Sequence, residues 1–224
     1  ELDPASAMPL WGLALSNGPH INNMAVPPER EKAAFDALVK ARSLMAGATP
    51  VEKTLIDALT ARYADPQPKD RTPLNQAYAT AMRAAWSKYP KDADVGALFA
   101  ESLANLRPWD LWLPDGRPQP GTEELVRAIE AVLVLAPKHP FANHLMIHAV
   151  EASRNPEKAD RAANALRDLQ PGLGHMVHMP SHIDVRRGRW RQAIEANAKA
   201  IEADRRYTAM APEPGFYRLY MSHN

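Results

Sequence analysis

The second half of the chain contains one residue pattern twice, at an offset of 34 residues. When residues 137–165 are laid over residues 171–199, one proline, two histidines and two alanines coincide. A period of this size indicates repeated supersecondary units, each of which buries its apolar face only against its neighbours. The small alanine side chains suit helices that cross closely. The coinciding pairs are Pro137 and Pro171, His144 and His178, His148 and His182, Ala159 and Ala193, and Ala162 and Ala196.

Apolar residues recur with the spacing of amphipathic helices along most of the chain, and no segment alternates in the manner of a strand. The chain has 21 prolines and 10 glycines, which predicts many short helices that begin or end at proline. The sequence from Thr49 to Glu52 has the form of a capping box that opens a helix. Predicted helices cover residues 29–46, 49–63, 72–89, 92–106, 122–135, 155–169 and 190–207.

Pro180 interrupts the second copy of the repeat, where the first copy has Met146 in the middle of a helix. Proline removes a backbone hydrogen bond inside a helix but is accepted in its first turn. We therefore expect a kink, or a helix that starts near Met179. In that case His175 and His178 lie on an irregular turn that precedes the helix.

Composition excludes several classes of protein. Apolar residues make up 46% and charged residues 24% of the chain, as in ordinary globular domains rather than disordered segments. The net charge of +1 and the lack of a basic patch argue against a general nucleic-acid binder. No apolar run reaches the roughly 18 residues of a membrane span. Cysteine is absent, so there is no thiolate site, and a cytoplasmic or a periplasmic location fits equally. No glycine-rich phosphate loop is present, so we expect no nucleotide cofactor.

Histidine is concentrated in one part of the chain, because six of the eight lie between residues 139 and 182. A helix turns by about 100° per residue, so His144, His148 and Glu151 fall in one stripe about 60° wide. A second stripe of that width contains the histidines at 175, 178 and 182. Neutral imidazole is a ligand of transition metals, and a carboxylate can ligate with it or orient it. The predicted metal ligands are His144, His148, Glu151, His175, His178 and His182.

The pattern does not choose the metal, and zinc, copper and iron all suit imidazole. Three methionines lie among the histidines, at positions Met146, Met176 and Met179. Their thioether sulfur is a soft ligand of Cu(I), so copper remains a candidate metal. His144 and the histidine four residues later have the spacing of the zincin motif, but Leu145 stands where that motif has its catalytic glutamate. The same histidines also admit a metal-free polar cluster for an anionic or peptide ligand, or a purely structural role.

Two irregular segments contain further candidate ligand-binding residues. Residues 107–121 (RPWDLWLPDGRPQPG) form a long loop in which Trp109 and Trp112 must pack onto something. They serve either as anchors that fold the loop over the helices or as a platform on which a ligand stacks. His20, a candidate ligand-binding residue, follows the first helix in the turn Asn-Gly-Pro-His, and the asparagines of this turn bind a ligand or cap backbone groups.

The chain resembles tetratricopeptide-repeat (TPR) proteins, whose period is 34 residues, and specifically a bacterial group with long repeats and a His-rich stretch. The resemblance covers essentially the whole chain and implies an all-α solenoid of TPR-like helix pairs, a right-handed superhelix, in one domain of residues 1–224. Such proteins often continue past the final His-Asn pair, so we expect an array cut at both ends. The resembling segments are residues 11–22, 108–122, 144–151, 175–190 and 223–224.

The resemblance also implies that the first helix of each pair lines a concave groove, with both histidine stripes facing it. A peptide or small-molecule ligand would bind in that groove, and His223 would reach it from the next first helix. Three functions stay open: a metal-containing binding protein, a metal-dependent hydrolase or oxidase, and a metal-free interaction scaffold. In the enzyme, Glu101 or Glu151 would be the base, since aligning Pro90 with Pro137 places Glu101 opposite His148.

Overall fold

The computed structural model describes residues 5–224, and these form helices and loops without a β-strand. The extended pairings in this range are two isolated bridges, one between His20 and Asn23 and one between Trp112 and Pro118. The predicted all-α class is confirmed, while the TPR solenoid stays a prediction. The α-helices are α1 (Met8–Asn17), α2 (Pro28–Ser43), α3 (Pro50–Thr60), α4 (Thr72–Lys88), α5 (Ala93–Ala104), α6 (Thr122–Leu135), α7 (Pro140–Val150), α8 (Asp160–Leu166), α9 (Gly174–His178), α10 (Pro180–Arg186), α11 (Trp190–Met210) and α12 (Arg218–His223).

The chain divides into two compact units, Glu1–Asp110 and Leu111–Asn224. In the first unit α1 packs on α2, and α4 packs on both α3 and α5. In the second unit α7 packs on α6 and α8, while α9 and α10 pack on α11. Among the described residues, no helix combines the length and the apolar character that crossing a bilayer requires.

Local sequence rules account for most helix boundaries. The capping box is confirmed: the Glu52 N–H donates to Thr49 Oγ1 at 3.3 Å, and the Thr49 N–H donates to Glu52 Oε2 at 2.7 Å. Helix α6 begins and ends where the apolar spacing predicts. The predicted helix over residues 155–169 is instead divided, because Pro156–Ala159 is a 3-10 turn that precedes the shorter α8.

The repeat is visible in the packing of the second unit. The four alanines that coincide at the 34-residue offset are all at least 95% buried, as expected where helices approach closely. Helices α9 and α10 together occupy the sequence positions that α7 occupies in the preceding copy. The division falls at Met179, because Pro180 is the first residue of α10. The expected irregular turn is wrong: His175 and His178 lie in α9, a single helical turn, and His182 lies in the first turn of α10.

The loop that follows Leu111 is anchored to the helices of the second unit. Trp112 donates its indole N–H to the Ala149 carbonyl at 2.8 Å, at the C-terminal end of α7. Gly116 has a φ of 82°, and a Cβ at this position would collide with the side chain of Arg154. Trp112 therefore packs as predicted. Trp109, in the first unit, is 58% exposed, and its packing stays a prediction.

Candidate metal centre

Six histidines and one glutamate come together within the second unit. Helix α7 contributes two histidines and is followed directly by the glutamate, α9 contributes two histidines, and α10 and α12 contribute one each. The structure thus brings together all six predicted metal ligands and adds His223, which the sequence placed only as a groove residue. The set is His144, His148, Glu151, His175, His178, His182 and His223.

The C-terminal triad consists of His178, His182 and His223. The Nε2 atom of His178 lies 2.9 Å from Nε2 of His182 and 3.1 Å from Nε2 of His223. Two nitrogens bound tetrahedrally to one zinc ion, at roughly 2.0–2.1 Å each, are separated by about 3.3 Å. The three imidazoles therefore converge with nearly the spacing of ligands that share one ion.

Hydrogen bonds on the outer side of this triad determine which ring nitrogens carry protons. Nδ1 of His178 lies 2.8 Å from Oδ1 of Asn197, and Nδ1 of His182 lies 2.6 Å from Oε2 of Glu151. Both oxygens are acceptors, so each Nδ1 donates a proton, and in the neutral ring Nε2 then carries a lone pair. Two lone pairs consequently face each other at 2.9 Å, an arrangement that a cation between them stabilises.

The N-terminal triad consists of His144, His148 and His175. Nε2 of His144 lies 3.3 Å from Nε2 of His175, and the rings of His144 and His148 meet edge to face at 4.6 Å. Nδ1 of His148 donates to Oε1 of Glu151 at 2.9 Å. The Nδ1 atoms of His144 and His175 are buried and have no hydrogen-bond partner among residues 5–224. Among the described residues, an outer hydrogen bond at Nδ1 orients one imidazole of this triad and two imidazoles of the C-terminal triad.

Glu151 joins the two triads through its two carboxylate oxygens. Burial alone would raise its pKa, but the hydrogen bonds from His148 and His182 lower the pKa of Glu151 to about 2. The carboxylate is therefore ionised, and it accepts one Nδ1 proton from each triad. This is the usual position of a carboxylate that orients metal-binding imidazoles. Its oxygens also lie within 4.8 Å of ligand nitrogens of both histidines, so the alternative role of direct ligand stays a prediction.

Burial favours the neutral form of five of the imidazoles. Desolvation, assisted by the neighbouring histidines, lowers the pKa of His175 to about 3 and that of His178 to about 4. Burial also lowers the pKa of His148, against the opposing effect of Glu151. The pKa values of His144 and His223 are lowered for the same reason. Metals bind only the neutral imidazole, so these five histidines are held in the form that can ligate.

Helix α12 is held in place by Asp204 of α11. Tyr217 donates its hydroxyl proton to Oδ1 of Asp204 at 2.8 Å, and the Asn224 side chain donates to Oδ2 at 2.7 Å. The Tyr217 hydroxyl also accepts the His175 N–H at 3.3 Å. These bonds position His223 beside His178. A side chain at position 174 would collide with Asp204, so Gly174 lets α9 approach α11 closely.

Sequence reasoning missed Asn197 and Asp204. The repeat gives no signal for Asn197, because the aligned residue of the preceding copy is Ala163. Nor does the apolar spacing of α11 distinguish Asp204 from the exposed polar residues of that helix. Asp204 is nevertheless 94% buried, and buried acids need partners.

The remaining candidates, apart from Trp112, lie in the first unit. Glu101 is buried, 3.7 Å from the guanidinium of Arg62, and it accepts a hydrogen bond from Asn105. Burial raises its pKa, with Arg62 opposing the shift. Nδ1 of His20 accepts the N–H of Asn22 at 3.3 Å. The predicted catalytic role of Glu101 and the ligand-binding roles of His20, Trp109 and Trp112 stay predictions.

Comparison of the sequence with protein-family models and with curated proteins gave no match.

Proposed function

We propose that this protein binds a transition-metal ion through the C-terminal triad. The observation that carries the proposal is the pair of lone pairs on His178 and His182, which Asn197 and Glu151 direct at each other at 2.9 Å. Neutral imidazoles repel in this arrangement, and a bound cation turns the repulsion into two coordinate bonds. Three nitrogen ligands without a thiolate suit zinc, copper or iron.

The scaffold that we propose is a TPR-type array of helix pairs with the cluster in its groove. Two features of the second unit support it. Helices adjacent in sequence pack against each other, and the alanines in register between the repeats are buried. The ligand of such a groove would be a peptide or a small molecule, held with the help of the metal.

A metal-dependent hydrolase or oxidase is the second candidate. Three histidine ligands leave a fourth coordination position, as in catalytic zinc sites. An enzyme of this type also needs a general base. Glu151 is engaged by two histidines, and Glu101 is paired with Arg62. These contacts favour a binding function over catalysis for the cluster.

The proposal is tested by the metal content of the purified protein. The protein is expressed in metal-replete medium and compared by elemental mass spectrometry with a His178→Ala/His182→Ala double variant. His20→Ala is the matched control, since it removes an imidazole from the first unit. We expect at least one equivalent of one transition metal in the wild type and the control, and a loss in the double variant. Wild-type protein without stoichiometric metal, under conditions that load known metalloproteins, would refute the proposal and favour a metal-free interaction scaffold.

A further inference from the structure

We infer that the cluster holds two metal ions in unequal sites, a tight one on the C-terminal triad and a weaker one on the N-terminal triad. The inference rests on the proposed function and adds a second site with a defined order of filling.

The first argument is the number of ligands. Six imidazoles exceed the four ligands of a tetrahedral zinc site and the three protein ligands of a catalytic one. The two triads share no histidine, and within each triad the ligand nitrogens lie within 4.8 Å of one another. The six rings therefore divide into two complete sets of three.

The second argument is that both triads are built in the same way. Each takes two histidines from an HxxxH pair of one repeat and a third from a following helix. His144 and His148 of α7 are joined by His175 of α9. The pair on α9 and α10 is joined by His223 of α12. The HxxxH pairs are in register with the repeat, whereas the third histidines are not, so the repeat supplies each triad with an equivalent pair that a following helix completes.

The third argument is that the two triads differ in the hydrogen bonds that orient their imidazoles, and therefore in metal affinity. Outer hydrogen bonds orient metal-binding imidazoles and raise their basicity, and removing one commonly costs about 10- to 100-fold in metal affinity. The C-terminal triad has such bonds at His178 and His182, from Asn197 and Glu151. In the N-terminal triad Nδ1 of His144 and Nδ1 of His175 are buried, and neither has a hydrogen-bond partner in the part of the chain that the structure describes. We therefore expect the N-terminal site to bind the same metal about 10- to 100-fold more weakly.

The shared carboxylate couples the sites. An ion on the C-terminal triad draws electrons from the His182 ring and strengthens its Nδ1 hydrogen bond to Glu151. The carboxylate is then a weaker hydrogen-bond acceptor for His148, and the bound ion repels a second cation nearby. Both effects oppose the second ion, so filling of the tight site lowers the affinity of the weaker one.

The experiment is a zinc titration of the metal-free protein in competition with a chromophoric chelator, with native mass spectrometry to count the ions. We expect two ions and two separated steps. His144→Ala should remove the weaker step and leave the tight step nearly unchanged, whereas His223→Ala should remove the tight step. Circular dichroism checks that each variant folds, and the wild-type ion count tests the inference even if a variant does not.

The other outcomes have distinct meanings. One ion, lost equally in both variants, would mean that all six histidines serve a single site, which overturns the inference but leaves the proposed function standing. Two ions of equal affinity would overturn the inequality. The absence of any bound ion would overturn both the inference and the proposed function.

Discussion

Replacing Glu151 with glutamine tests whether one carboxylate orients both triads. The carboxylate accepts Nδ1 protons from His148 at 2.9 Å and from His182 at 2.6 Å. Glutamine has the same shape but only one oxygen, so one of the two imidazoles would face an amide N–H₂ group. That ring must then invert its tautomer, which places a proton on Nε2 and removes the lone pair that binds metal.

The size of the effect follows from the two distances. The hydrogen bond from His182 is the shorter of the two, so we expect the one remaining oxygen to keep that bond. His148, the only oriented imidazole of the N-terminal triad, would then lose its acceptor. Loss of an outer partner costs about 10- to 100-fold in affinity, or about 1.4–2.8 kcal/mol. In Glu151→Gln, the zinc affinity of the weaker site should fall by this factor. The tight step should weaken by less, because it loses only the nearby negative charge.

The measurement is the competition titration with zinc, made on the wild type, on Glu151→Gln and on Glu123→Gln. Glu123 is the matched control, because its side chain is 70% exposed at the start of α6. If both steps of Glu151→Gln match those of the wild type within experimental error, the carboxylate does not orient the ligands. A greater loss at the tight step than at the weak one would show that the remaining oxygen serves His148 instead.

Three further substitutions separate the roles of single residues. Asn197→Ala removes the acceptor that orients His178, so the tight zinc step should weaken about 10- to 100-fold while the weak step is unchanged in the same titration. Asp204→Ala removes two hydrogen bonds to the C-terminal segment, so amide exchange in α12 should accelerate and zinc should partly restore protection. Glu101→Gln leaves the Arg62 charge buried and uncompensated, which should cost about 3–5 kcal/mol in denaturant unfolding. If Glu101 is structural, zinc affinity should not change.

Much of the fold could be predicted because helix boundaries depend on local chemistry. Thr49 and Glu52 form the capping box that their spacing predicts, and proline opens α3 and α10 as its missing N–H allows. The division of the predicted helix over residues 155–169 could not be predicted in this way. Pro156–Ala159, which precedes α8, adopts a 3-10 turn that the apolar spacing does not distinguish from an α-helix.

The histidine stripes could be predicted because helical periodicity and the repeat both place them on equivalent faces. Apart from Glu151, the residues that orient them could not be predicted, because those contacts depend on how α11 and α12 pack against α9. Asn197 and Asp204 are far in sequence from the histidines that they position, and neither is marked by the repeat. Glu101 is a case in which the sequence predicts a position but not a partner. The alignment assigns Glu101 to a face of its helix, but only the packing of α5 shows that it pairs with Arg62.

The repeat contains the HxxxH pair twice but the carboxylate once. Glu151 follows its HxxxH pair by three residues, and the aligned position of the second repeat is Val185, which is 46% exposed. One glutamate orients an imidazole of each triad, so in the two-site proposal it couples the sites without making them unequal. The inequality rests instead on Asn197, which orients His178, whereas Nδ1 of the equivalent His144 has no partner among the described residues. Removing that amide by Asn197→Ala is therefore the change most able to reduce the inequality.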